Sequence, residues 1–172
     1  MREDIRTAKS LGADGVVIGC LTADGGIDRA VTAELIALAR PLKVTFHRAF
    51  DMCRDPRAAL EELVTLGVDI LLTSGQEETC LEGAETLAAL HKQAAGRIVV
   101  MAGGGITPRN VGRIVAATGV NAVHLSARKG IESAMQFRNS RCFMGGALRP
   151  PEFSLKTTDE SAVRSVVESV KS

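Results

Sequence analysis

Five short β-rich runs start near Gly15, Lys43, Asp69, Arg97 and Asn121, at intervals of 28, 26, 28 and 24 residues. Each leads into a polar or glycine-rich turn and then a segment with apolar residues at helical spacing. A chain that alternates strand and helix with this period folds as successive βα units around a parallel sheet. The joint from helix back to strand recurs as Leu11-Gly12-Ala13-Asp14, Leu66-Gly67-Val68-Asp69 and Thr118-Gly119-Val120-Asn121, which is an internal repeat. Gly12, Gly67, Gly96 and Gly119 stand where a helix needs a left-handed C-cap.

Helix starts are signalled separately. Asp55-Pro56 and Thr107-Pro108 each put a capping oxygen before a proline at the first helical position, where the missing N–H costs nothing. Asp28 is placed to cap the segment carrying Val31, Leu35 and Leu38. Thr157 and Glu160 read as a capping box ahead of the stripe Val163, Val166, Val167 and Val170.

Five units do not close a barrel. Eight at this interval would reach roughly the 250 residues of a (βα)8 barrel, whereas the chain has 172. The expectation is an α/β fold in a single domain, residues 1–172: a partial TIM barrel of about five βα units, lacking the first three strands. The competing architecture is an open, doubly wound sheet, but no glycine fingerprint follows the first strand and a helix precedes it. Residues 129–157 are too long for a plain connection and are expected as a long loop after the last strand, with Pro150-Pro151 barring regular structure there.

Composition narrows the function classes. A net charge of +1 provides no basic field for a phosphate backbone, and without Trp or Tyr there are few stacking platforms for single strands, so no nucleic-acid partner is expected. No apolar run approaches the ~20 residues of a membrane span, and a membrane partner is not expected either. Cys20, Cys53, Cys80 and Cys142 are widely spaced and form no C-x-x-C pair, which fits reduced thiols in the cytoplasm.

In a parallel barrel, chemistry gathers on the turns that follow the strands. Those turns are Cys20-Leu21-Thr22, His47-Arg48-Ala49-Phe50-Asp51, Thr73-Ser74-Gly75-Gln76, Gly103-Gly104-Gly105 and Ser126-Ala127-Arg128. They are far more polar than the repeated joints at the opposite ends. Gly103, Gly104 and Gly105 let backbone N–H groups turn inward just before a helix, an arrangement suited to an anion, with Ser126 and Arg128 as its partners. The same glycines also suffice for a tight turn with no ligand. His47 and Asp51 are candidates for general acid–base chemistry with Arg48 as an oxyanion clamp, although an Arg48–Asp51 ion pair bracing the turn explains them equally. Thr73, Ser74 and His124 complete the rim, with His124 read as a hydrogen-bonded core residue of the last strand. Cys20 is the one cysteine at a strand's C-terminal end, where it could offer a soft ligand, and Cys80 could approach the same face from the turn after the third strand.

Several of these segments resemble the CutC copper-homeostasis proteins: Pro41-Leu42-Lys43-Val44-Thr45-Phe46-His47-Arg48-Ala49-Phe50-Asp51-Met52, Leu72-Thr73-Ser74-Gly75, Val100-Met101-Ala102-Gly103-Gly104-Gly105-Ile106-Thr107 and Phe137-Arg138-Asn139-Ser140. The resemblance runs over essentially the whole chain. It implies a cytoplasmic TIM-barrel homo-oligomer that takes part in copper homeostasis and binds copper(I). In that family the cysteines usually proposed to bind copper lie on the first strands, which this chain does not contain. The alternative function is a barrel enzyme for a small phosphorylated or anionic metabolite, held at Gly103–Gly105, Ser126 and Arg128 with proton transfer by His47 and Asp51.

Overall fold

The computed structural model describes residues 1–139, 141–142 and 152–171. It divides into two compact units, Met1–Leu125 and Ser126–Ser172. The first begins with helix α1 (Arg2–Ser10) and continues as β1 (Gly15–Ile18), α2 (Arg29–Ala39), β2 (Lys43–Phe46), a 3-10 turn (Arg48–Met52) and α3 (Pro56–Leu66). It then runs through β3 (Ile70–Thr73), α4 (Ala84–Ala94), β4 (Val99–Gly103), α5 (Val111–Thr118) and β5 (Ala122–His124). The strands form one sheet in the order β1-β2-β3-β4-β5, every neighbouring pair parallel. A doubly wound sheet reverses its strand order at a switch point. This order never reverses, which is the winding of a barrel wall.

Right-handed crossovers between successive neighbours put the connecting helices on one face. That face carries Val44, Phe46, Leu71, Val100 and Ala102, all essentially inaccessible, against Leu35, Leu60, Leu63, Leu87, Leu90 and Ile114 from the helices. Burying a side chain such as Phe46 or Leu60 contributes about 1.5–3 kcal/mol, so this layer is the core. The opposite face is set by the register Val17↔Thr45↔Ile70↔Val99 and Leu72↔Met101↔Ala122. There Val17 is 61 % exposed and Val99 40 %. At the N-terminal ends of these strands, Val17, Lys43, Thr45 and Ile70 help to line an open hollow of about 420 Å³.

Most local signals act as read. Asp55 accepts from the N–H groups of Arg57 and Ala58, both at 3.0 Å, and Asp28 accepts from Val31 N–H at 3.0 Å. Gly67 and Gly119 end α3 and α5 in the left-handed region. Thr107 does not cap a helix that starts at Pro108. The Asn110 side chain accepts from Thr107 N–H at 2.8 Å and donates to the Gly105 carbonyl at 2.8 Å, closing a turn that delays α5 to Val111.

The second unit pairs β6 (Arg128–Glu132) antiparallel with β7 (Ser154–Thr158), followed by α6 (Glu160–Lys171). Residues 129–157, expected as a long loop, therefore begin and end in strand. Pro150 and Pro151 lie outside the described residues. Thr157 pairs with Lys129 in this ladder instead of capping α6, and Asp159 takes the capping position by accepting from Ser161 N–H at 3.0 Å.

Candidate functional site

The polar turns that follow β1 to β4 come together at one end of the sheet, where a single carboxylate ties those after β2 and β3 to each other. Asp51 lies in the 3-10 turn after β2 and its side chain is only 7 % exposed. Arg48 Nε donates to Asp51 Oδ2 at 2.6 Å. From the end of β3, the Thr73 hydroxyl donates to Oδ1, the Ser74 N–H donates at 3.1 Å and the Gln76 N–H at 3.2 Å. A buried carboxylate that receives this many donors is a fixed anion whose lone pairs are engaged. The ion pair read from sequence as a brace is therefore part of a larger knot joining two strand ends.

Arg48 is held on two of its three nitrogens. Besides the Nε bond, Nη2 donates to Ser74 Oγ at 2.7 Å and to the Glu77 carbonyl at 3.2 Å. Its third nitrogen, Nη1, has no hydrogen-bond partner among the described residues. It lies against Gly104, only 3.1 Å from where a Cβ on that glycine would stand. The Gly104 carbonyl accepts from Cys80 N–H at 3.0 Å, which ties the glycine turn to the segment after β3.

The β3 turn depends on a close backbone approach. A Cβ on Gly75 would fall 2.3 Å from the Gly83 carbonyl oxygen, and one on Gly83 would fall 2.0 Å from that of Ser74. Neither position tolerates a side chain. The sequence reading singled out neither glycine in this role, because the two backbones meet only in the folded turn.

His47 caps the 3-10 turn: its Nδ1 accepts from Ala49 N–H at 3.0 Å. In the neutral ring the proton then sits on Nε2, so this atom is a donor and has no lone pair for a metal. The imidazole covers Gly19, whose Cβ position would be 2.3 Å from Cε1. Gly19 was likewise unmarked in the sequence, and only its place opposite a ring at the end of β1 explains it.

His124 differs from its reading as a core histidine. It is exposed, in register with Gly103 on β5, which forms an edge of the sheet. Ser126 and Arg128 belong to the second unit.

The cysteines fall into two kinds. Cys53 and Cys80 are buried, and burial is the main cause that pushes each thiol up to about 11. Both remain protonated at neutral pH and are poor thiolate ligands. Cys20 is half-buried and Cys142 exposed. Among the described residues no group of three or more His, Cys, Asp or Glu could hold a metal ion.

The model of the CutC family matches residues 1–129. The copper homeostasis protein cutC homologues of mouse and human are each 54 % identical over 166 residues, covering 96 % of this chain and 61 % of theirs. A CutC family protein of Bacteroides thetaiotaomicron is 46 % identical over 172 residues, 69 % of its length. The chain thus spans about three fifths of the length of its mammalian relatives. The crystal structure of CutC from Streptococcus agalactiae superposes with a TM-score of 0.69 at 35 % identity, over 72 % of this chain and 60 % of that one. A KDPGal structure superposes with a TM-score of 0.55 at 17 % identity, which is a likeness of fold alone.

Proposed function

Because the chain belongs to the CutC family, we propose that it acts in copper homeostasis, with copper(I) as cargo held weakly by this part of the protein. The observation that carries the reading on this chain is the state of its sulfur. Two of four thiols are buried and protonated, and Cys20, the strand-end candidate, lies in no cluster of metal-binding side chains among the described residues. Copper(I) favours two or more soft thiolate or thioether ligands. Strong binding in the family then depends on groups outside the three fifths of the relatives that this chain spans.

A cytoplasmic setting accords with the free thiols of Cys20, Cys53 and Cys80, which persist where glutathione keeps cysteines reduced. No helix among the described residues is long and apolar enough to cross a membrane. Homo-oligomerisation is supported by the exposed apolar side chains on the face of the first unit's sheet opposite α2 to α5.

The test is a copper(I) titration against a chromophoric chelator, with this chain and the full-length mouse homologue in parallel. The homologue is expected to take up more copper per chain and to outcompete the chelator where this chain does not. Equal stoichiometry and affinity would sink the reading.

A further inference from the structure

The corner built by Arg48 and the glycine turn has donors left over, and this goes beyond copper. Asp51 has its acceptor capacity filled by Arg48, Thr73, Ser74 and Gln76. The Ser74 hydroxyl accepts from Arg48 and lies 2.5 Å from the Glu77 carbonyl oxygen, so its one hydrogen is also engaged. On the donor side, Arg48 Nη1 and the successive N–H groups of Gly105 and Ile106 have no acceptor among the described residues, whereas the register Gly103↔His124 turns the Gly104 N–H toward the β5 ladder. Gly104 at φ 140° and Gly105 at φ 68° hold a backbone that other residues rarely adopt, and the missing Cβ of Gly104 lets Nη1 come within contact of the turn.

A guanidinium fixed through two nitrogens, with its third against Gly104 at the start of a turn whose next two amides are unpaired, complements a compact tetrahedral oxyanion. Such an ion offers oxygens to the fork and to the amides together. The brace matters because an arginine already ordered by Asp51 and Ser74 loses little freedom on binding. We propose that Arg48 Nη1 and the Gly104–Ile106 turn form a binding site for a phosphate-type oxyanion, with Asp51 as the residue that positions the guanidinium. In this assignment the arginine of the site is Arg48, in the same compact unit as the turn, in place of the Arg128 expected from sequence.

The probe is inorganic phosphate, titrated into the full chain at constant ionic strength, with acetate and chloride as the competing anions. Binding is followed by amide shifts in a ¹H–¹⁵N spectrum and by calorimetry. Saturable shifts are expected to be largest at Gly105 and Ile106, with acetate weaker and chloride without effect. Arg48→Gln should weaken phosphate binding by about tenfold or more, since hydrogen bonds to a charged group are worth on the order of 1.5–3 kcal/mol. Arg48→Lys should recover part of it.

No saturable binding by the parent chain at millimolar phosphate would overturn the proposal, as would shifts centred away from the glycine turn. Loss of binding in Arg128→Gln with retention in Arg48→Gln would return the site to the arginine expected from sequence. The amide map of the parent chain decides even if a variant fails to fold. None of these readings involves copper, so their outcome is separable from that of the copper titration.

Discussion

Asp51 shows how far a single side chain can be read before its neighbours are known. Its place four residues after His47 suits an acid–base pair as well as a brace. The groups that decide between them, Thr73, Ser74 and Gln76, lie 22 to 25 residues further on and meet the carboxylate only when β2 and β3 pair. Replacing it by Asn keeps the volume but puts an NH2 group among existing donors and leaves the Arg48 charge unpaired. Breaking a buried pair by removing one partner costs about 3–5 kcal/mol, and half-exposed Arg48 regains some of that from water. Asp51→Asn is therefore expected to lower unfolding stability by about 3 kcal/mol, read from urea denaturation at unchanged m-value. A loss below about 0.5 kcal/mol, the range of ordinary surface changes, would mean that the carboxylate is not the keystone of the rim.

At the scale of elements, what was legible depended on the reach of the interaction. Asp28, Asp55, Gly67 and Gly119 act within one turn of their own helix, and each does what its residue type foretells. Thr107 and Thr157 have the right chemistry for caps but are overruled. In one case the Asn110 side chain closes the turn first, and in the other β6 takes Thr157 into a ladder. Helix-to-helix bonds are equally invisible in sequence.

Glu61 on α3 receives Arg97 at 2.7 and 2.8 Å, from beyond the end of α4, and the Gln93 side-chain amide at 2.9 Å. The Arg97 bonds first, then Gln93, bring its carboxyl from an ordinary 4.5 down to about 2. A depressed carboxyl stabilises the fold fully above its unfolded value, and that contribution is lost as pH falls through the folded one. The pair is solvent-exposed and screened, so the effect is small. Glu61→Gln should melt about 1–3 °C below the parent at pH 6, with the gap closing as both are taken from pH 4.5 toward pH 2. A gap that stays constant with pH would show that packing, not charge, links α3 to α4.

For the whole molecule, the period of the sequence was enough to give parallel strands in sequential order, because each unit reports its own strand, turn and helix. It does not report what lies against the second face of the sheet, since that depends on closure and not on local pattern. In the first unit this face carries Val17 largely in the open and Val99 partly so, with Ile70, Leu72 and Met101 half-buried between them. Strands β1 and β5 also present unpaired edges. Exposed apolar rows beside open strand edges favour pairing with another chain. The 172-residue chain is accordingly expected to self-associate at micromolar concentration and to bind a hydrophobic dye, both measurable by sedimentation and fluorescence. Val17→Lys places a charge at the β1 end of the row, beside the open edge, without touching the helix-packed core, and it should shift the distribution toward monomer and reduce dye binding. A monodisperse parent monomer across the concentration range, silent to the dye, would show that the face is already satisfied and that association plays no part in holding this sheet.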